Sequence, residues 1–252
     1  MLRKAIWAAA LAASLPAQSI VPSKAGLVSY AEEAYIDGHP VEKSSTRFVV
    51  VNQNAVLRTG AGRAEVLLGP CAAMWIDENS SFRMISSALS DARLEVLTGS
   101  VIVASGAMVK GSKLSLLLQT LEAAIGPKGA YRFDTAPARV EALAGRATVQ
   151  LAKQAISLSP SRLLLLDAPA HVDTFDKRNP DAFQNWSNKR AALLARLSLS
   201  ANASSQPSDT EKPSASAGVP RQSPISVFHG PAIETQQPLP GYANSGCGVT
   251  AW

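Results

Sequence analysis

The feature that most restricts the fold is an eleven-residue segment that occurs twice. Arg93-Leu94-Glu95-Val96-Leu97-Thr98-Gly99-Ser100-Val101-Ile102-Val103 recurs as Arg139-Val140-Glu141-Ala142-Leu143-Ala144-Gly145-Arg146-Ala147-Thr148-Val149, 46 positions later. Arg58-Thr59-Gly60-Ala61-Gly62-Arg63-Ala64-Glu65-Val66 echoes part of the same pattern. Each copy reads as strand, glycine corner, strand. Arg and Glu alternate with aliphatic residues, so the charges share one face of a strand and the aliphatics the other. Gly60, Gly99 and Gly145 are expected at corners, with backbone angles that a Cβ would penalise. Such a unit cannot bury its apolar face alone and needs stacked or opposed copies. The prediction is a mainly β protein, built as a stacked or rolled sheet or a β-solenoid-like body.

Short strand patterns fill the chain from residue 25 to 172. Gly26 to Tyr30, Arg63 to Leu68, Ala73 to Ile76 and Ser81 to Ile85 are candidates. Tyr35 to Val41 reads as a tight hairpin, because Asp37-Gly38 supplies the positive φ angles of such turns. The pattern changes after Asp173. Asn179-Pro180-Asp181 reads as a helix start, with Asn179 as cap and Pro180 in the first helical position. Phe183, Trp186, Leu193, Leu194 and Leu197 then fall near one face. An amphipathic helix over 179–198 is expected to close the domain. From 200 to 252 Ser, Ala, Pro and Gln dominate, and the segment reads as a flexible tail. Within it, Tyr242 and Trp252 stand as a binding motif, as a stub docked on the domain, or, by default, as ordinary tail residues.

The N-terminus carries an export signature. Arg3 and Lys4 precede an apolar run from Ala5 to Leu15, then Pro16 and the small residues Ala17 and Ser19. Residues 1–19 are therefore expected to be a signal peptide, with a retained anchor as the alternative. Charged residues make up only 17% of the chain, which suits an exported β protein. No run of Lys or Arg forms a nucleic-acid footprint, so nucleic acid is not an expected partner. Export permits a disulfide between Cys71 and Cys247. Their placement, one in the β-rich part and one in the tail, favours a small semi-buried Cys71 and an unpaired Cys247 instead.

Several motifs, in order, resemble the periplasmic domain of FecR-type proteins. They are Gly26-Leu27-Val28-Ser29-Tyr30, Asp37-Gly38, Leu57 to Leu68, Asp77 to Ser81, Leu94 to Ser100, Gly129-Ala130-Tyr131-Arg132-Phe133-Asp134 and Val140 to Val149. A helix carrying Trp186-Ser187 and Arg190 follows. The resemblance spans about residues 25–199. It implies a β-rich, non-enzymatic periplasmic domain of the kind that receives a signal from an outer-membrane receptor. The twenty-five or so residues before the β-rich part read as a signal peptide, which departs from the anti-sigma segment of the transmembrane members.

Chemistry-bearing residues are sparse. His39, His171 and His229 lack metal-ligand spacing, and neither a cofactor nor a metal is expected. Asp77, Glu78 and Asn79 read as a polar turn. Arg63, Glu65, Arg93, Glu95, Arg139 and Glu141 form the candidate charged strand face, expected as a solvated cross-strand ladder. The expected function is an exported binding or signal-relay module of the cell envelope, periplasmic or secreted. Its partner would be an envelope protein or polymer. A structural envelope protein is the second reading, and an enzyme acting on cell-wall material the least favoured.

Overall fold

The computed structural model describes residues 24–42, 49–69, 71–204 and Trp252. The expected signal peptide, Tyr242, Cys247, His229 and most of the 200–252 segment lie outside the described residues.

Eighteen strands, numbered in chain order, form two nine-stranded sheets. The middle sheet contains β1 (Leu27–Ala31), β4 (Val49–Val50), β6 (Ala64–Gly69), β7 (Ala72–Ile76), β10 (Ser100–Ser105), β13 (Gly129–Thr135), β14 (Ala138–Ala144), β17 (Arg162–Leu165) and β18 (His171–Thr174). Its spatial order is β18-β17-β14-β13-β10-β7-β6-β1-β4. The outer sheet contains β2 (Ala34–Ile36), β3 (His39–Pro40), β5 (Val56–Thr59), β8 (Ser81–Ala88), β9 (Asp91–Thr98), β11 (Lys113–Leu118), β12 (Leu121–Ile125), β15 (Ala147–Leu151) and β16 (Gln154–Leu158). Its order is β16-β15-β12-β11-β9-β8-β5-β2-β3. Space follows sequence almost strand by strand in both. The chain shuttles between the sheets and lays down one or two strands at each visit. Neighbours are antiparallel except β9 and β11, where a single intervening strand, β10, returns the chain in the same direction.

Burial separates the sheets as sequence pattern should. The outer sheet is covered on one face, so its strands alternate: in β12, Leu121, Ala123 and Ile125 are buried while Glu122 and Ala124 are exposed. The middle sheet is covered on both faces. There β7 is buried along its whole length, as Ala72-Ala73-Met74-Trp75-Ile76. Alternate residues of that strand enter different cores. Met74 and Ile76 join the core between the sheets, with Leu57, Phe82, Leu94, Leu116 and Phe133. Ala73 and Trp75 join a smaller core under the helix, with Leu67, Ile102, Phe183 and Leu194.

The repeated segments mark where the chain crosses between sheets. Gly99 (φ +75°) passes it from β9 in the outer sheet to β10 in the middle one. Gly145 (φ +71°) passes it from β14 in the middle sheet to β15 in the outer one. The two copies therefore run in opposite senses across the sandwich. The third expected corner differs. Gly60 does not take a positive φ, and the tight approach falls on Gly62, where a Cβ would sit 2.1 Å from the Glu32 carbonyl oxygen. The Asp37-Gly38 turn has φ of 49° and 84°, the two positive values that a two-residue hairpin loop calls for.

The helix α1 spans Ala182–Ser204, longer at its C-terminal end than the expected 179–198. Its cap is Asp181, not Asn179: Asp181 Oδ1 accepts from the backbone N–H of Gln184 at 2.8 Å. That spacing, with Gln three residues after the cap, suits a capping box. Phe183, Ser187, Ala191 and Leu194 face the sheet. Ser187 and Ala191 are small, which admits the helix close to the strands. Leu193 and Leu197, expected on this face, are only half-buried. Among the described residues no helix is long and apolar enough to cross a membrane.

Candidate functional site

The expected ladder of charges does not exist as one surface. Glu65, Arg139 and Glu141 belong to the middle sheet, and Arg63 directly precedes its strand β6, all on the side that α1 covers. Arg93 and Glu95 lie on the outer sheet. The cause is the opposite placement of the two repeat copies, which puts equivalent side chains on different sheets. The outer-sheet pair keeps solvated neighbours: Glu95 meets Arg83 at 3.0 Å and Arg93 meets Asp91 at 3.7 Å.

Glu65 is fully buried. Its Oε1 accepts from Ser29 Oγ at 2.6 Å and from Arg190 Nη2 at 2.8 Å. Its Oε2 accepts from Trp75 Nε1 at 2.8 Å and from Arg190 Nε at 3.0 Å. A carboxylate offers about four acceptor positions, and here they are filled. The Arg190 guanidinium also lies 4.7 Å from the Tyr30 ring centroid. One arginine of the helix is thus clamped by a carboxylate and an aromatic face of the sheet.

A second joint holds the helix start. Arg132, buried in β13, pairs with Asp134 at 2.9 Å and with the cap residue Asp181. Burial works against its charge, but Asp134 and Asp181 outweigh it and hold the guanidinium above its ordinary pKa. Asp181 is held low: burial opposes its charge, and the Gln184 N–H and Arg132 overcome that. Arg139 joins the cluster through Asp134 at 2.7 Å and Glu141 at 3.3 Å. Between the two joints, Arg63 pairs with Asp77 at 2.7 Å and Glu78 at 2.8 Å and lies 5.6 Å from the Trp186 ring. Asp77 and Glu78, read from sequence as a polar turn, are the partners of this arginine.

Two measurable consequences arise here. Asp181→Ala removes the helix cap together with a partner of Arg132, and should cost about 2 kcal/mol in urea unfolding. Glu141 has a raised pKa because burial outweighs the pull of Arg139 and Arg132. The folded state therefore binds this proton more tightly than the unfolded chain. Its stabilising contribution is present at low pH and is lost as pH rises through the raised value. Glu141→Gln should accordingly gain stability over the parent at pH 7 and not at pH 4, read as the difference in thermal midpoint.

The sheet margins offer a different kind of surface. β3 is two residues long and ends in Pro40, β4 is two residues long, and β18 carries Asp173. Edge strands are commonly protected by such shortness, proline or charge. β16 has none of these. Gln154-Ala155-Ile156-Ser157-Leu158 pairs with β15 alone among the described residues, and Gln154, Ala155 and Ser157 are exposed. At one end of the sandwich, Leu68, Leu89, Met108, Val109 and Leu114 line a cleft of about 370 Å³ beside Cys71. Cys71 is disulfide-bonded, which overturns the expected free thiol. His39 and His171 are exposed and far apart in the fold, on margin strands of different sheets.

No protein-family model matches this chain, and no curated protein matches it. Among solved structures it is similar to two crystal structures of an anti-sigma-factor candidate from Parabacteroides distasonis ATCC 8503. One match has a TM-score of 0.37 at 10% identity and covers 49% of this chain and 56% of the other. The second has a TM-score of 0.40 at 10% identity and covers 52% and 60%. The matched region thus spans little more than half the length of those structures.

Proposed function

We propose that this chain is an exported, non-enzymatic binding or signal-relay module of the cell envelope, of FecR-like type, which takes an extended segment of a partner onto the edge of β16. The observation that carries the reading is that unprotected edge. A strand margin without charge, proline or bulge can accept a further strand through its main-chain groups. Ile156, half-buried between exposed neighbours, supplies an apolar contact for the incoming side chains. The disulfide at Cys71 supports an oxidising compartment, since cytosolic thiols are kept reduced. The saturation of Glu65 supports a structural use of the buried charges: no acceptor position is left over for proton transfer.

The test is capture from envelope extract on the immobilised full chain, with Ala155→Lys/Ser157→Lys as the paired variant. The parent should retain a discrete protein. The variant should lose it while its unfolding free energy stays within about 0.5 kcal/mol of the parent, as for other exposed substitutions. Equal capture by both proteins would sink the edge assignment.

A further inference from the structure

The two cores of the molecule are not closed alike. The smaller one lies under α1 and is covered further by Trp252, whose ring stands 5.3 Å from that of Trp75 and whose backbone N–H donates to Asn188 Oδ1 at 3.1 Å. Trp252 is thus docked on the domain, against the default expectation of an ordinary tail residue. The larger core, between the sheets, ends in the cleft of about 370 Å³. Leu68, Ala72, Ala92 and Leu114 belong to that core and also wall the cleft, with Leu89 and Met108 packed against them. Leu68 and Ala72 come from the middle sheet, Ala92 and Leu114 from adjacent parallel strands of the outer one. The cleft is therefore the gap between the sheets at one end, continuous with the apolar interior.

The chain crosses here without a glycine corner. Gly99 and Gly145 make their crossings in a single residue, whereas residues 106–112 connect β10 to β11. Ser112 closes that loop, its backbone N–H and its Oγ both donating to the Val109 carbonyl, at 3.0 and 2.6 Å. Val109 is left 65% exposed. A lone exposed valine needs no explanation, but one on the lip of an apolar cleft extends a continuous patch. Lys110 and Lys113 stand on the same lip and are exposed. Among the described residues neither pairs with a carboxylate. Asp91 faces Lys113 in register, but its carboxylate lies 3.7 Å from Arg93. The described lining residues include no ring for stacking and no buried polar side chain to orient a polar ligand. What fits such walls is a flexible aliphatic chain, to which Met108 can adapt, and what fits the lip is one negative charge. We propose that this cleft binds a single-chain fatty acid, with the alkyl chain between the sheets and the carboxylate at Lys110 and Lys113. The site is separate from the β16 edge, with β12 and β15 lying between, and does not depend on how that edge is used. Its volume is at the lower end for small-molecule sites. At roughly 30 Å³ per non-hydrogen group it holds about twelve groups.

The experiment is isothermal titration of the full chain with octanoate, decanoate, dodecanoate and tetradecanoate, each below its micelle concentration. Affinity should rise about four-fold per methylene up to dodecanoate and level off at tetradecanoate. Lys110→Gln/Lys113→Gln should weaken decanoate binding about five-fold and leave decanol binding unchanged. Both lysines are exposed, so this variant should fold as the parent does. Ala92→Leu, which fills the cleft from its wall, should abolish binding of both probes with far-UV circular dichroism unchanged. The proposal is overturned if dodecanoate gives no heat of binding, if affinity climbs as steeply from dodecanoate to tetradecanoate as before, or if the lysine variant binds decanoate as tightly as the parent. It is overturned as well if the chain sediments with phosphatidylglycerol vesicles and dodecanoate does not compete it off, since Val109 and the lysines then serve a bilayer surface.

Discussion

Arg190→Met should destabilise the protein by about 3–5 kcal/mol, the largest single effect expected on the helix side of the molecule. The reason is the group left behind. Glu65 is fully buried, and its two remaining donors, Ser29 Oγ and Trp75 Nε1, are neutral. A carboxylate stripped of its arginine in that position is an uncompensated charge out of water. Changing both partners together should cost less than changing one. In Glu65→Gln/Arg190→Met the side-chain carbonyl still accepts from Trp75, and no net charge is buried. A double-mutant cycle measured by urea unfolding should therefore give a coupling energy of about 2–3 kcal/mol, at the upper end for residues in direct contact. A coupling near zero would mean that the pair contributes nothing beyond the packing of the arginine stem.

How much of this was legible in sequence depends on which interactions are local. The β architecture was, because alternation is written into single strands such as Ser81 to Ile85. The crossing glycines Gly99 and Gly145 were, because a repeated Gly between two strand patterns leaves few other uses. The solvated ladder was misjudged. Arg63 and Glu65 alternate with apolar residues just as Arg93 and Glu95 do, and alternation reports two faces without saying which of them is wet. What decides it is the helix, whose Arg190 lies 125 positions from Glu65. A signal did exist: β7 is apolar at every position and β10 from Val101 to Ala104, which requires a sheet covered on both sides, and the amphipathic helix was the available cover. The cap was displaced from Asn179 to Asp181 for a related reason. Asp181 also pairs with Arg132 across 49 positions, and that contact selects which of two competent residues starts the helix. The disulfide of Cys71 was discounted on placement, one cysteine in the β-rich part and one in the tail, a poor guide in a chain whose Trp252 packs against Trp75 of the strand that follows Cys71.

Valine at either crossing glycine should be nearly as costly as loss of the arginine. At Gly99 the added Cβ would stand 2.1 Å from Ser80 Oγ and 2.7 Å from Ser80 Cα. The hydroxyl could turn aside, but the Cα is backbone, and Ser80 Oγ already accepts from the Ser100 N–H at 2.9 Å. At Gly145 the Cβ would meet Gly129 Cα at 2.6 Å and the Lys128 carbonyl oxygen at 2.8 Å. Both positions also hold a φ in the left-handed region, which a β-branched residue tolerates worst. Strain of about 1–3 kcal/mol and overpacking of a similar size act together. Gly38 separates the two contributions. Its φ is +84°, yet a Cβ there would meet nothing within 4 Å. Gly38→Ala should cost only about 1 kcal/mol, from backbone conformation alone, whereas Gly99→Ala and Gly145→Ala should cost at least twice that. The comparison, made by thermal unfolding on alanine variants of equal size, isolates the close approach of strands at the crossings. If all three variants lost the same stability, the crossings would need glycine only for its backbone freedom, and the tight seating of one sheet's corner against the other would carry no energy of its own.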